Sequence, residues 1–370
     1  MASVTLKNLC KHHPGGVTAV SDLSLEIPDR SFFVLAGPAR CGLSTVLRLV
    51  AGLETPSDGG VSLSGFPVDG RSPRERGVAL VSRHSVPYPN MTVFDNLAFG
   101  LKLGRETSAT EIRARVAAAA DLLDLGDVLA LTPSALTDSQ CWRLSLGRAI
   151  ARRPRVYLFD DPLSGLEDAA RAARRAELAA LHKRVASTFL FATHDQTEAM
   201  TLGERIAVIK NGLLQQVAAP QGLYDRPANL LVADFFGSPP MNLIETSVLS
   251  REGTAYLRFG ACQLPLPEDR ATRSEVLAYV DRSVIMGIRP EDLHDELDRF
   301  PLSQTVMDVT NIEVAGLETH LRLTNGDCDI TARLSHRPAV KPGDSFRIAF
   351  DPQKIHLFDK DTGRSVLTPF

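Results

Sequence analysis

A loop near the amino terminus carries the residue types and the spacing of a phosphate-binding site. It follows the apolar run 31–37, leads into a helical pattern at 43–53 and has the spacing G-x-x-x-x-G-x-[ST]. Backbone N–H groups in such a loop, together with the helix N-terminus, can hold a phosphate. Position 43 lacks the lysine that usually neutralises phosphate charge, and alone the motif is more typical of a glycine turn than of a nucleotide site. The loop residues are Gly37, Pro38, Ala39, Arg40, Cys41, Gly42, Leu43, Ser44 and Thr45.

Two carboxylates and a histidine follow later strand-like runs. The run 155–160 ends in Asp160 and is followed by Asp161, and the run 187–193 is followed by His194. In a phosphate-loop protein the first acid would hold Mg²⁺ beside a loop hydroxyl, and the next acid would orient the attacking water. Taken singly, an aspartate pair can cap a turn, and a lone histidine is more often structural than catalytic. Their order along one alternating pattern favours a nucleotide site.

The elements around these residues predict an α/β fold. Short apolar runs such as 4–10 alternate with helical patterns such as 166–185, which is rich in Ala, Leu, Glu and Arg. Strands that alternate with helices predict a sheet covered by helices. The stretch 106–130 is predicted to be a helical insert.

The residue composition and pattern of the chain change near residue 237. The segment 237–242 is rich in Gly and Pro and is typical of a linker, and short β-rich runs with turn signals follow it. The pair Asn325-Gly326 between two alternating runs predicts a hairpin. We therefore expect residues 240–370 to form a small all-β domain with a barrel architecture.

Composition excludes several classes of protein. The 370 residues are 44% hydrophobic and have a formal net charge of −3, which excludes a disordered chain and leaves no basic footprint for nucleic acid. No apolar run reaches the roughly 20 residues that span a bilayer, and we see no export signal. The 5 cysteines are scattered without a C-x-x-C pair, so we expect neither disulfides nor structural zinc. This cysteine usage fits a reducing environment, and we expect a cytoplasmic location.

Beyond these motifs, the sequence resembles the ATP-binding subunits of ABC importers, specifically the MalK-like type that serves sugars and glycerol phosphate. The resemblance covers nearly the whole chain. It is carried by the segments 15–29, 47–59, 87–103, 144–154, 158–167, 192–208, 223–243, 286–293 and 341–359. It implies a P-loop, RecA-like ABC ATPase core with a helical subdomain, followed by a small all-β regulatory domain of the oligonucleotide-barrel (TOBE) type.

The resemblance also implies domain limits and partners. Residues 1–236 would form the nucleotide-binding domain, with the helical subdomain at about 87–150, and residues 237–370 would form the regulatory domain. The expected partners are transmembrane permease subunits and a second nucleotide-binding subunit in a homo- or heterodimer, with no nucleic acid. The protein would lie peripherally on the inner face of the cell membrane, and residues 86–101 match the part that receives the permease's coupling helix.

The family's functional residues map onto this sequence one by one. ATP and Mg²⁺ are the expected ligands, and ATP would lie between the phosphate loop of one subunit and the signature segment of the other. Asp161 and His194 take the catalytic positions, and Ser44 and Asp160 take those of the magnesium ligands. The nucleotide positions are His13, Gly37, Pro38, Ala39, Arg40, Cys41, Gly42, Leu43, Ser44, Thr45 and Arg83, and the signature positions are Thr137, Asp138, Ser139 and Gln140.

The sequence departs from the family at residues that would touch ATP. Leu43 replaces the lysine, and Arg40 replaces a glycine. Arg83 replaces the sensor glutamine and, having no acceptor, cannot ligate a cation. Asp138 would place a negative charge near the partner's γ-phosphate, and Asp161 is one methylene shorter than the family's glutamate.

We therefore expect ATP hydrolysis to be impaired or absent. Loss of one preorganised donor typically costs about 100- to 1000-fold in rate, and both faces of the dimer site are altered, so an intact partner would not restore either site. Three interpretations remain open: a working importer ATPase, a non-hydrolysing pseudo-ATPase with a structural or regulatory role, and a decayed paralogue. Arg40 turning inward to replace the lost charge is a minor alternative.

Overall fold

The computed structural model describes residues 2–103, 108–260 and 262–367. They form two compact units that divide between Pro220 and Gln221. The segment 221–236, which the sequence analysis assigned to the first domain, lies in the second unit because its backbone bonds there. The Leu230 N–H, for example, donates to the Gly363 carbonyl at 2.9 Å.

The first unit contains both strands and helices. In chain order its elements are β1 (Val4–His12), β2 (Thr18–Ile27), β3 (Phe32–Ala36), α1 (Leu43–Ala51), β4 (Asp58–Leu63), β5 (Phe66–Pro67), α2 (Pro73–Arg76), β6 (Val78–Ser82), α3 (Val93–Lys102), α4 (Ala109–Leu122), α5 (Asp138–Ile150), β7 (Val156–Asp160), α6 (Asp168–Val185), β8 (Thr188–Thr193), α7 (Gln196–Leu202), β9 (Arg205–Lys210) and β10 (Leu213–Ala218).

A six-stranded sheet organises this unit, in the order β10-β9-β3-β8-β7-β6. All neighbours are parallel except β10, which is antiparallel to β9. Strands β3 and β8 are buried along their whole length, as is typical of a parallel sheet covered on both faces. The register pairs Ala36 with Thr193 and Ser82 with Asp160, so the carboxyl ends of four strands meet at one edge. The predicted α/β class is confirmed.

A second, antiparallel sheet lies in the same unit, in the order β2-β1-β4-β5. Helices α3, α4 and α5 pack together as an insert between β6 and β7. Their starts are fixed by side-chain caps: Thr92 accepts from the Asp95 N–H, and Ser108 accepts from the Glu111 N–H. Two residues of the predicted helical insert, 106 and 107, lie outside the described residues.

The second unit is mainly β-structure. In chain order its elements are α8 (Pro220–Asp225), α9 (Leu230–Phe235), β11 (Asn242–Arg251), β12 (Thr254–Phe259), β13 (Cys262–Pro265), α10 (Glu268–Ala271), α11 (Ser274–Leu277), β14 (Ser283–Ile288), β15 (Leu293–His294), β16 (Gln304–Ala315), β17 (Glu318–Thr324), β18 (Asp329–Leu334), β19 (Ser345–Phe350) and β20 (His356–Asp359).

Two five-stranded antiparallel sheets share one apolar core in this unit, in the orders β13-β12-β11-β14-β20 and β15-β19-β16-β17-β18. Strands β17 and β18 form a hairpin around Asn325 and Gly326, and Gly326 takes a φ of 86° that suits glycine. The predicted β-rich carboxyl-terminal domain is thereby confirmed. Among the helices of the described residues, none combines the length and apolar content needed to cross a membrane.

Candidate nucleotide site

The loop between β3 and α1 is built on close backbone approaches. A Cβ on Gly42 would lie 2.2 Å from the Ala19 carbonyl oxygen, and Gly42 has a φ of 105°. A Cβ on Gly37 would lie 2.0 Å from the Ile209 carbonyl oxygen. Both positions therefore require glycine, and this fixes the path of the loop into α1.

Arg40 occupies a left-handed conformation in this loop, with a φ of 64°. Only glycine adopts this region without steric cost, which explains physically why a glycine is favoured at this position. The Arg40 side chain is exposed. The chain thus keeps the loop conformation while carrying a long cationic side chain.

Ser44 and Asp160 are joined directly. The Ser44 hydroxyl donates to Oδ1 of Asp160 at 2.7 Å, because α1 begins beside the carboxyl end of β7. A hydroxyl and a carboxylate oxygen are ligands that Mg²⁺ accepts, and magnesium sites commonly use one or two such groups together with water and substrate phosphates. The donor set fits the expected magnesium site.

His194 follows β8 directly and contacts the loop. Its Nδ1 lies 2.8 Å from the Gly37 carbonyl oxygen. A carbonyl can only accept a hydrogen bond, so Nδ1 carries the proton and Nε2 is the nitrogen left for another partner. The imidazole is thereby held at the edge where the strand ends meet.

A cleft of about 670 Å³ opens at this edge. Its volume lies within the range of roughly 300–1,000 Å³ that is usual for small-ligand sites. The cleft is lined by His13, Val17, Thr18, Ala19, Arg40, Cys41, Gly42, Leu43, Ser44, Thr45, His194, Asn211 and Gly212. The lining among the described part of the chain includes no carboxylate, although the Asp160 carboxylate accepts a hydrogen bond from Ser44 of the lining.

The loop of this cleft differs from an ordinary phosphate-binding loop at Leu43. Its side chain is only 2% exposed and belongs to the apolar core beneath α1. At this position a lysine would place an ammonium beside the bound phosphates. Leucine instead stabilises the helix start and supplies no hydrogen-bond donor.

The other expected nucleotide residues do not line the cleft. Pro38 and Ala39 lie within the loop. Arg83 follows β6, is exposed and donates from Nε to Nε2 of His84 at 3.0 Å. Asp161 follows β7 with a φ of 47°, and its N–H donates to the Ala192 carbonyl. Both side chains start from strand ends at the same edge of the sheet as the loop.

The four signature positions lie together at the start of α5, away from the cleft lining. Thr137 and Gln140 cap the helix reciprocally, since the Thr137 hydroxyl accepts from the Gln140 N–H and the Gln140 side chain accepts from the Thr137 N–H. Asp138 is the first residue of α5. The Ser139 hydroxyl accepts from Nη1 of Arg174, a residue of α6, at 2.9 Å.

Two buried groups beside the cleft have shifted pKa values. Burial raises the pKa of the Cys41 thiol to about 11, so this thiol stays protonated near neutral pH. Burial also raises the pKa of Glu198 in α7, while the Thr193 hydroxyl donates to it and lowers the pKa in part. Neither group is poised as a nucleophile or a base for the cleft.

Sequence reasoning missed part of this site. Val17, Thr18 and Ala19, which come from β1–β2, and the turn residues Asn211 and Gly212 line the cleft but were not predicted. The Asn-Gly pair was a visible turn signal, although nothing in it indicated contact with the loop. Arg174 was also missed, because only the packing of α5 against α6 brings it to Ser139.

A parallel sheet with a glycine loop, a serine–aspartate pair and a histidine at its carboxyl edge defines a P-loop nucleotide-binding domain. Family models agree: residues 20–164 match the ABC transporter model, residues 237–293 match the MalK OB fold domain, and residues 286–358 match the TOBE domain.

Whole-chain relatives are similar to this protein throughout. The trehalose/maltose import ATP-binding protein MalK of Thermococcus litoralis is 43% identical, covering 99% of this chain and all of the relative. The oligosaccharides import ATP-binding protein MsmX of Bacillus subtilis is 39% identical over 98% of this chain and 99% of its own length. The sn-glycerol-3-phosphate import ATP-binding protein UgpC of Bordetella avium is 39% identical over 99% of both. The chain belongs to the family of MalK-like ATP-binding subunits of ABC importers.

Proposed function

We propose that this protein is the peripheral nucleotide-binding subunit of an ABC importer for a sugar or polyol phosphate, and that its ATP hydrolysis is impaired or absent. The relatives named above are import ATP-binding proteins for sugars and glycerol phosphate, which supports the solute class. By the same resemblance it acts on the cytoplasmic face of the membrane, with permease subunits and a second nucleotide-binding subunit as partners.

The burial of Leu43 carries the proposal of impaired hydrolysis. A 2% exposed leucine side chain at the start of α1 leaves the loop without its ammonium. Removal of one preorganised donor costs about 100- to 1000-fold in rate, or roughly 3–4 kcal/mol. Arg83 and Asp161 act on the same transition state, so their effects need not add.

The remaining residues still form a framework for nucleotide binding. The loop backbone and the first turn of α1 offer N–H groups to phosphate oxygens. Mg²⁺, when bound by Ser44 and Asp160, would neutralise charge on the β- and γ-phosphates. His13 lines the cleft at a position where its ring can stack on a base, and Arg40 is the one arginine in the lining described. We expect weak nucleotide binding from this set.

A second groove supports docking of a permease. A groove of about 680 Å³ lies beside the segment 86–101 and is lined by Tyr88, Phe99 and Arg148 among others. Arg148 donates from Nη1 to the Val86 carbonyl at 2.7 Å, and its guanidinium lies 4.2 Å from the centre of the Tyr88 ring. These contacts hold the groove wall in place, and the resemblance assigns the groove to the permease's coupling helix.

The nucleotide cleft lacks the expected lysine, whereas the docking groove is held by the contacts of Arg148. This difference supports an alternative function. In this alternative the protein is a non-hydrolysing pseudo-ATPase that acts as a structural or regulatory partner within an ABC transporter complex. The alternative shares the same fold and partners and differs in turnover.

Calorimetric titration of Mg-ATP into the purified protein and into Leu43→Lys tests the proposal. We expect weak or no binding by the parent and about 10- to 100-fold tighter binding by the variant, because the lysine restores one charged hydrogen-bond donor to phosphate. Val17→Lys is the control: it adds the same charge to the cleft from a 63% exposed position outside the loop, and we expect no comparable gain. Parent turnover of about one per second, ordinary for an enzyme, would contradict impaired hydrolysis.

A further inference from the structure

A further cleft in the first unit, which shares Gly100, Leu103 and Arg152 with the docking groove, is lined by four arginines. It has a volume of about 560 Å³, and its arginines are Arg74 from α2 and Arg152, Arg153 and Arg155 from the connection between α5 and β7. We call it the four-arginine cleft. None of its residues belongs to the nucleotide site.

The four-arginine cleft lies at the amino ends of strands β6 and β7. Val78, the first residue of β6, lines the cleft, and Arg155 immediately precedes β7. Because β6 and β7 are parallel and pair Val78 with Val156, these starts lie side by side. The phosphate loop, by contrast, follows the carboxyl end of β3.

The backbone holds the arginine-bearing connection in place. The Arg155 N–H donates to the Gly77 carbonyl at 2.7 Å, which ties the connection to the end of α2. Pro154 is buried, and Arg153 has a φ of 50°. A left-handed conformation costs a non-glycine residue about 1–2 kcal/mol, so surrounding contacts must maintain it. The guanidinium groups therefore start from fixed backbone positions.

The four arginines of this cleft have no carboxylate partner among the described residues, although the Glu75 carboxylate, next to Arg74, accepts hydrogen bonds from Ser72 of the lining. Its lining among the described residues contains no carboxylate, and in that part of the chain none of the four arginine side chains makes a hydrogen bond or an ion pair. Other arginines of the same unit are paired: Arg143 and Arg174 both contact Glu177 at 3.1 Å. Four like charges around one concave wall raise the local positive potential and attract anions.

The chemistry of the lining selects the anion. Guanidinium groups match phosphate oxygens with paired N–H donors and are the preferred side chains for phosphate recognition. Pro73, Leu101 and Leu103 give the cleft an apolar wall, and Leu103 is 65% exposed. All four arginines are exposed, so their guanidinium groups are accessible to a ligand, and the apolar wall bounds one part of the cleft.

We propose that the four-arginine cleft binds a phosphate group, supplied either by a free phosphorylated compound or by the headgroup of a membrane phospholipid. This site is separate from the nucleotide cleft and does not depend on whether ATP is hydrolysed. Its occupant would contact the protein through phosphate oxygens, with Arg74 on one side and the Arg152–Arg155 connection on the other.

The test compares two charge-matched double variants of the full chain. Arg74→Gln/Arg153→Gln removes two cations from the cleft. Lys7→Gln/Arg205→Gln removes two exposed cations from strands β1 and β9, outside the cleft. Arg74→Lys/Arg153→Lys keeps the charge and removes the fork geometry. Circular dichroism and thermal unfolding establish that each variant is folded, and any variant that is not is replaced by its two single substitutions.

Two probes distinguish the sources of phosphate at low salt. Inorganic phosphate is titrated and followed by phosphorus NMR line broadening. Vesicles of phosphatidylcholine mixed with phosphatidylglycerol are sedimented with the protein, beside vesicles of phosphatidylcholine alone. Each guanidinium–phosphate contact is a charged hydrogen bond, so we expect the cleft variant to bind its probe at least about 10-fold more weakly than the parent.

The control must stay near the parent, and the lysine variant must fall between the parent and the glutamine variant. A cleft-dependent loss with inorganic phosphate assigns a free phosphorylated compound, and one confined to anionic vesicles assigns a phospholipid headgroup. Equal losses in the cleft and control variants would mean general charge attraction and overturn the proposal. The proposal would also be overturned if the cleft variant and the parent bound both probes equally well.

Discussion

The two edges of the six-stranded sheet both carry arginine side chains, but they hold them in different ways. At the carboxyl edge, Arg40 is the one arginine in the cleft lining described, beside the Ser44–Asp160 pair and His194, and Arg83 of the same edge lies outside that lining. At the amino edge, four arginines line one cleft without a carboxylate among the lining residues described. The carboxyl edge has the loop expected of a phosphate site, but Leu43 stands where a lysine is expected. The amino edge has four arginines, but none of the family's phosphate-binding motifs.

The two edges differ in the number of arginines that line their clefts and in the backbone segments that carry them. At the carboxyl edge the start of α1 points N–H groups at the cleft, yet the side chain at that start, Leu43, packs into the core. At the amino edge three of the four arginines lie on the connection that bonds from the Arg155 N–H to the Gly77 carbonyl, and Arg74 lies on α2.

The largest contrast is expected between alanine substitutions of one glycine at each edge. In Gly42→Ala the new Cβ would meet the Ala19 carbonyl oxygen at 2.2 Å, at a φ of 105°. We expect the free energy of unfolding to fall by about 3–5 kcal/mol, from steric clash and backbone strain together. In Gly77→Ala the nearest atoms lie 3.8 Å away, so only the strain of a φ of 65° remains. We expect a loss of about 1 kcal/mol there.

Urea denaturation of the two variants checks this contrast. A similar loss for both would show that the loop at the carboxyl edge can relax around a Cβ. The comparison of the two edges would then lose its basis in backbone geometry.

A smaller effect is expected from Glu198→Gln, near the carboxyl edge. Burial raises the pKa of Glu198 above its usual 4.5 in the folded state, and Asp195 and Asp161 raise it further, against the Thr193 hydroxyl and Arg171. The folded state therefore holds the proton to higher pH than the unfolded state, and this group's contribution to stability is lost as pH rises through the folded-state pKa. Glutamine does not titrate, so the variant should gain stability relative to the parent as pH rises from 4 towards 7.

Thermal unfolding of parent and variant across this pH range measures the difference. A difference in melting temperature that stays constant with pH would show that the Glu198 carboxyl titrates as it does in the unfolded chain. The amino-edge lining described has no carboxylate that would give a similar dependence.

The smallest effect is expected for Arg153→Gln at the amino edge. Removing one of four like charges relieves repulsion, so the variant should be more stable than the parent by a few tenths of a kcal/mol at low salt. Salt screens the repulsion, and the gain should vanish near 1 M, where the Debye length is about 3 Å. Urea denaturation at two ionic strengths measures it, with Arg205→Gln on β9 as the control. A gain that persists at high salt would indicate a packing effect instead of charge.

Several parts of the fold could be predicted from local patterns. The buried runs at β3 and β8, the helix after Gly42 and the hairpin at Asn325-Gly326 rest on periodicity and turn chemistry, which act over a few residues. The capping pattern at Thr137 and Gln140 is also local. The place of the segment 221–236 was harder to predict, because two of its hydrogen bonds join residues more than a hundred positions apart: the Leu230 N–H donates to the Gly363 carbonyl and the Ser365 N–H donates to the Ala228 carbonyl.

The candidate site was predictable in its outline only. The spacing of the phosphate loop and the order of Asp160 and His194 located the site along the chain. The spacing could not show that Ser44 and Asp160 bond directly, since they are separated by 116 positions. Nor could it show that Ser139 would be held by Arg174 from another helix.

The amino-acid sequence by itself determined the loop's chemistry: its glycines, its hydroxyls and the absence of a lysine are facts of residue type. Only the tertiary structure decided that Leu43 is buried and that Arg40 keeps a left-handed backbone. It also decided that Arg74 lines the same cleft as the Arg152–Arg155 connection, because β6 and β7 are neighbours in the sheet. Side-chain direction and long-range pairing arise from packing many residues at once, and no local pattern contains that information.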